Sequence, residues 1–315
     1  MNPAHLAKRP DAISLLVVSS HLLLVVSPVY AAAAMGPGWH TALWWLLFGV
    51  SMNGVLNLLH ECAHTHVFSD RKWSDFLGKR LIAPFVFADF DAYRRRHWDH
   101  HKFIGQEGET KDTYLIDIRG SGLLTAFVRC AVMVEAGRKF FKQKVTRSDD
   151  SRAGRNWLID LAIFQLLFGV SLVLTARVFN SADGWFTAVV YAATAYAVVY
   201  LYGLMSLTVF MASLRAIAEH HVYDTTSAHT GYAALRNFTC NPLSRFLMGA
   251  YGFGEHFTHH RAPAIPYYRL REATTEMAAQ DPSLRPEKDY FTVLAEIFHA
   301  GPASNPTMVE RDAGH

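Results

Sequence analysis

Apolar residues in this chain are bunched into long runs. Residues 13–35 are apolar apart from scattered serines and His21. At 1.5 Å of rise per residue, that stretch exceeds the ~30 Å of a bilayer's hydrocarbon core. A second run, 39–59, follows after only a Gly-Pro-Gly turn. The pair is therefore predicted to form two spanning helices, since a signal peptide's apolar region is shorter and is not followed at once by another. Two more spans are predicted at 157–179 and 185–214. The last is longer than one crossing needs, so its excess is expected to tilt or to project beyond the bilayer. Between them, residues 60–156 turn polar and charged, with apolar stretches at 81–88 and 123–134. These are too short to span and are expected at the membrane interface or under the polar part. The expected architecture is an all-α membrane protein of one domain. Four transmembrane helices in two hairpins carry a cytoplasmic helical cap (60–156 and 215–304), and 305–315 form a loose tail.

Charge sets the expected orientation. Of 30 Lys and Arg, 2 precede the first span, 18 lie in 60–156 and 9 follow residue 214, which leaves Arg177 alone near the opposite side. The positive-inside rule then puts both termini and the central loop in the cytoplasm. The net charge of +3 and the lack of any finger or helix-turn-helix pattern exclude a nucleic-acid partner that works through many phosphates. Three cysteines, Cys62, Cys130 and Cys240, are too few and too uneven for a disulfide framework or a zinc ribbon.

Histidine carries the chemical signal. Eleven of the 17 fall in four short clusters: His60, His64 and His66; His97, His100 and His101; His220 and His221; His256, His259 and His260. A pair at i, i+4 stacks on one helix face and can chelate one metal. The triplets at 97 and 256 share the spacing i, i+3, i+4, which gathers three rings within an arc of ~100°. Such a count exceeds the needs of one ion and suggests two, with iron, zinc, copper and nickel all suited to imidazole. An acid accompanies each cluster: Glu61, Asp99, Glu219 and Glu255. Each is expected to orient a ring on another helix as a carboxylate partner, with a solvent-facing salt bridge as the plain alternative. His5, His21, His40, His229, His299 and His315 have no partner at ligand spacing and are read as structural or exposed.

His60-Glu-Cys-Ala-His64, His97-Trp-Asp-His100-His101 and His256-Phe-Thr-His259-His260 resemble, in order and spacing, the three histidine boxes of the integral-membrane fatty acid desaturase and hydroxylase superfamily. The intervening pair of spans and the stretch at 262–270 are similar too. The resemblance implies two irons held by the eight box histidines His60, His64, His97, His100, His101, His256, His259 and His260. It adds His220 as a ninth ligand, with His221 the second choice and His66 a departure from the pattern. It also implies O2 as co-substrate and removal of an unactivated hydrogen from an aliphatic chain. External electrons would come from a separate ferredoxin, rubredoxin or cytochrome, because no dinucleotide fingerprint or heme segment is apparent. The substrate expected is an acyl-lipid, acyl-CoA, acyl-carrier thioester or small aliphatic molecule. Desaturation is favoured, with hydroxylation of a lipid, alkane or carotenoid-like substrate as the alternative.

Two other classes compete. His60-Glu61-x-x-His64 also satisfies the HExxH pattern of zinc proteases, but that chemistry has no use for two HxxHH triplets. A non-enzymatic metal carrier would explain clustered histidines, though not their repeated helical spacing. Arg94, Arg95 and Arg96 are read as lipid-headgroup anchors, or more sharply as a hold on an anionic substrate head or an acidic donor. Tyr93, Trp98 and Trp73 are site-lining or interfacial aromatics.

Overall fold

A computed structural model describes residues 10–104, 122–138, 151–181, 183–220 and 235–299, with the side chains of 151–155 left aside. Among them the regular elements are all helices, without a strand. Four helices are long and apolar enough to cross a membrane. The first, α1 (Asp11–Met35), has an acid in its opening turn and stops at Gly36, whose φ of 73° ends a helix at no steric cost. The second, α2 (His40–Ala63), ends in the first histidine box. Thr65, at φ 61°, turns the chain there, and the His66 amide closes the end on the Glu61 carbonyl at 3.1 Å.

After it comes α3 (Arg71–Phe76), capped by the Asp70 carboxylate on the Lys72 amide. This helix runs on through a π-helical stretch, Leu77–Ile82, to a last turn, Ala83–Phe85. The apolar residues of that turn are buried, as the short run at 81–88 leads one to expect of a segment packed under the polar part. Next, α4 (Phe90–Lys102) carries the second box and is capped by Asp89 on the Ala92 amide. The other short apolar run forms α5 (Leu123–Ala131), which buries Ala126 and Cys130 and exposes Leu124 and Val128. The third long helix is α6 (Ser151–Phe179).

The fourth, α7 (Gly184–His220), passes through π-helical stretches at Ala195–Tyr202 and Leu204–Thr208. Its apolar run stops near Leu214, yet the helix continues one and a half turns to present Arg215, Glu219 and His220. The helix therefore runs on past the apolar run without a break. Four shorter helices follow: α8 (Pro242–Leu247), α9 (His256–Arg261), α10 (Leu270–Gln280) and α11 (Tyr290–His299).

Packing runs α1 against α2, α6 against α7, and α2 against the π-helical part of α7. At one end, Asp11 of α1 accepts from the Ser69 amide at 2.7 Å just beyond α2, and Trp157 of α6 donates to the Ala88 carbonyl at 2.5 Å. At the other, Asn180 donates to the Ala34 carbonyl at 2.8 Å. The starts of α1 and α6 thus lie at the end where α2 and α7 finish, and the histidine boxes gather there. Outward faces of α1 and α6 expose Leu15, Leu16, Leu23, Leu166 and Leu167, while Val25, Met52, Leu58, Leu172 and Tyr200 fill the interior.

Candidate metal centre

The last turns of α2, α4 and α7 and the whole of α9 converge on one buried cluster. Nine imidazoles divide into two groups. His60, His64, His97, His101 and His259 form one, and His100, His220 and His260 gather in the other, where His220 also meets His256 and Glu219. The groups abut, with the rings of His101 and His260 4.4 Å apart. Each i, i+4 pair stays in one group, and the middle histidine of each triplet crosses to the other. His100 of α4 leaves His97 and His101 for the second group; His259 of α9 leaves His256 and His260 for the first.

Proton counting tests whether these residues suit a metal. Nε2 atoms approach one another in an open chain: His60 to His259 at 2.8 Å, His259 to His101 at 3.2 Å, His101 to His97 at 3.0 Å and His97 to His64 at 2.6 Å. An Nε2 is either a donor or an acceptor, in one in-plane direction. Three of these atoms face two neighbours each, so at most two of the four approaches can be hydrogen bonds. In the second group His256 Nε2 lies 2.9 Å from His220 and 3.2 Å from His260, and only one of those can carry a proton. Protonating more rings would set N–H against N–H. Burial and neighbouring imidazoles hold His64, His97, His256, His259 and His260 well below the ordinary imidazole pKa, and His101 down to about 3. Those six rings are thereby held neutral, with lone pairs aimed at shared points. Metal–imidazole bonds of ~2.0–2.1 Å put adjacent donors about 3 Å apart, which is the spacing seen, so the residues fit two metal ions.

The four acids do not stand behind the rings as expected. Glu61 Oε1 lies 3.8 Å from Nε2 of His60, its own neighbour, and Glu219 Oε2 lies 4.0 Å from Nε2 of His256. Both approach the nitrogen that faces the cluster and not the one behind it, so they do not set tautomers from outside. Glu219 is close enough to serve as a ligand of the second group. Asp99 is exposed and takes no part, because residue i+2 of the triplet points away from its three histidines. Glu255 is half-buried and faces a cavity. His66 is not among the ligand groups. It stacks on His64 at 5.6 Å, and burial lowers its pKa to about 4. His221 and His229 lie outside the described residues.

Arg94 corrects another expectation. Its guanidinium bonds the Asp75 carboxylate and the Cys62 carbonyl and lies over the Phe90 ring, so it ties α4 to α2 and is not a headgroup anchor. Tyr93 stacks on His97, and Trp98 meets His64 edge-on at 4.9 Å; Trp73 packs on Phe76 away from the centre.

Several residues that position the site carry no mark in the sequence pattern. Asn53 and Asn57, at i, i+4 on α2, donate to the carbonyls of Leu247, Met248 and Ala250, strapping the segment before the third box to the helix that carries the first. Arg215 bonds Asn57 and covers the Phe253 ring, which meets His60 at 4.6 Å. The Tyr290 hydroxyl lies 3.0 Å from Glu219 Oε1 and 2.8 Å from the Phe253 carbonyl. Two asparagines on the polar stripe of an apolar run that ends in a box were the one signal available.

A profile of the family described as fatty acid desaturase matches residues 37–291. Dihydrorhizobitoxine desaturase of Bradyrhizobium elkanii is 24% identical over 96% of this chain and 84% of its own length. Zeaxanthin 4-ketolase of Chlamydomonas reinhardtii is 27% identical over 69% of this chain and 40% of its own. A Delta(12)-acyl-lipid-desaturase of Punica granatum is 31% identical over 33% of this chain and 28% of its own. The chain thus spans most of the first of these relatives and under half of the other two.

Proposed function

Because the chain belongs to the fatty acid desaturase family, we propose that it is an O2-dependent diiron membrane enzyme that introduces a C=C bond into an acyl chain or similar aliphatic substrate. The observation that carries this reading is the pair of abutting imidazole groups whose Nε2 lone pairs cannot all be satisfied by protons. One iron would be held by His60, His64, His97, His101 and His259, and the other by His100, His220, His256 and His260, with Glu219 beside it. Bound iron would supply the oxidising power for an unactivated methylene C–H bond, using O2 and two external electrons per turnover, which no acid–base side chain can provide.

The residues do the rest. Buried neutral imidazoles keep lone pairs free for metal at neutral pH. Phe253 and Tyr93 pack against the rings of His60 and His97 and keep water from them. Arg215 and Tyr290 hold Glu219 in place. The boxes, both termini and the segments 60–156 and 215–304 face the cytoplasm, where 29 of 30 basic residues lie. There a separate ferredoxin, rubredoxin or cytochrome delivers electrons. Hydroxylation is the second reading, favoured by the similarity to a carotenoid ketolase over 69% of the chain. A zinc protease is disfavoured, since His60 and His64 share one focus with three further imidazoles.

Elemental analysis of detergent-purified protein from iron-replete cells tests the reading. Two irons per chain are expected, with turnover that stops when O2 is withdrawn; one zinc and O2-independent turnover would overturn it. Product analysis by mass spectrometry separates loss of two hydrogens from gain of one oxygen.

A further inference from the structure

A cavity of about 940 Å³ lies between the first half of α1 and the chain that leads into the third box. Its size is at the upper end of the ~300–1,000 Å³ typical of small-molecule sites. Val17 and Leu24 of α1 form one wall, and Leu24 is itself 54% exposed, so the cavity opens on the apolar outer face of that helix. The facing wall carries Arg245, Glu255 and Arg271. Among the described residues neither guanidinium has an ion pair or a side-chain hydrogen bond. Glu255 feels both charges but is hydrogen-bonded to Thr274. A smaller adjoining cavity of about 350 Å³ shares these three residues and adds Asp289, whose carboxylate is taken up by the Phe291 and Thr292 amides that open α11.

Two guanidinium forks with no acceptor, beside one carboxylate and at the edge of an apolar face, leave the wall net positive. Their planar donor geometry matches carboxylate and phosphate. We propose that this cavity binds the anionic head group, carboxylate or phosphate, of an amphiphile whose tail lies along α1, with Arg245 and Arg271 as its anchors. The proposal rests on the reading of the chain as a membrane enzyme of aliphatic substrates and names how such a substrate is held. The segment Ala250–Glu255 links the two places. Tyr251, Gly252, Gly254 and Glu255 line the cavity, and Phe253 packs on His60 and His256. Tyr251 and Gly252 both have positive φ, 55° and 77°, a turn that lets one short segment face both ways. A head group anchored here lies one layer of chain from the metal ligands and meters which carbon of the tail reaches them.

The test is calorimetric titration of the purified full-length protein in phosphatidylcholine nanodiscs with laurate, dodecyl phosphate and dodecanol. Iron content and O2-dependent turnover are measured on the same preparations. At least one anion is expected to bind about tenfold more tightly than the alcohol, and the stronger anion identifies carboxylate or phosphate as the source. Arg245→Gln and Arg271→Gln should erase that preference, the Lys variants should keep part of it, and Glu255→Gln should enhance it. Lys72→Gln, exposed on α3 and outside the cavity lining, should leave it unchanged. Equal binding of the alcohol and both anions by the wild type would overturn the proposal, as would a preference that survives both Gln substitutions in proteins with normal iron content. Anion preference in a protein without iron would instead sink the diiron reading and leave this one standing.

Discussion

Within little more than one turn of α4, three histidines belong to two different groups. His97 and His101 face the first group and His100 the second, and α9 repeats the division with His259 as the one that crosses. Variants should sort by group and not by box. At saturating iron, His97→Ala combined with His259→Ala is expected to retain about one iron per chain, and His97→Ala with His100→Ala almost none. Mössbauer spectra of single variants should place His259→Ala with His101→Ala; grouping it with His260→Ala would refute the division. The i, i+3, i+4 spacing made the three rings legible as neighbours. Which ring crosses was not legible, because it depends on how α4 and α9 are turned against each other, and spacing along one helix carries no such information. Cys240 allows a check of a different kind. Burial, the largest influence, pushes its thiol up to about 11. A free thiol ionises near pH ~8.5, so the folded protein keeps its proton where the unfolded chain loses it, and stability from this group falls away above that pH. Iodoacetamide labelling of Cys240 should be slow at pH 8 and accelerate only toward pH 11; ready labelling at pH 8 would contradict the burial.

The elements meet where a helix end must be satisfied inside an apolar setting. The last turn after α3, Ala83–Phe85, leaves carbonyls without intrahelical partners. Tyr200 of α7 donates to the Phe85 carbonyl at 2.7 Å, and Gln165 of α6 donates to the Pro84 carbonyl and to the Tyr200 hydroxyl, both at 2.9 Å. Tyr196 completes the set on Gln165 Oε1 at 2.8 Å. Gln165→Leu should cost about 0.6–2 kcal/mol of stability, read as a lower thermal midpoint in detergent, with iron content unchanged. A midpoint equal to the wild type would show the carbonyls satisfied by other means. The four long helices themselves were readable as elements, since a sustained apolar run satisfies its backbone polar groups within a bilayer only by coiling into a helix. The extension of α7 past Leu214 was not, because Arg215, Glu219 and His220 break the apolar pattern that marks a span. Those residues are tolerated because each has a polar partner: Arg215 bonds Asn57, Glu219 meets Tyr290 and His220 meets His256. The cavity beside α1 was equally invisible, being assembled from residues more than two hundred positions apart.

At the scale of the molecule, charge and site fall at one end. The boxes sit where α2 and α7 finish, beside the starts of α1 and α6, and among the described residues Arg177 is the one basic residue near the opposite end, where it lies 5.5 Å over the Trp185 ring. Reporter fusions at either terminus should read as cytoplasmic, and a cysteine introduced near Asn180 should be labelled from outside intact cells. The reverse pattern would invert the proposed orientation and with it the side from which electrons arrive.

The exchange of His100 and His259 between groups has a consequence for how the protein is assembled. A helix that reaches into both centres cannot settle on one without positioning its remaining ligand for the other. Loading should therefore be cooperative, and an anaerobic titration with ferrous iron should give a sigmoidal curve in which chains holding a single ion are scarce. A cell short of iron would then contain filled and empty molecules in varying proportion, and few half-built ones able to react with oxygen at a lone metal.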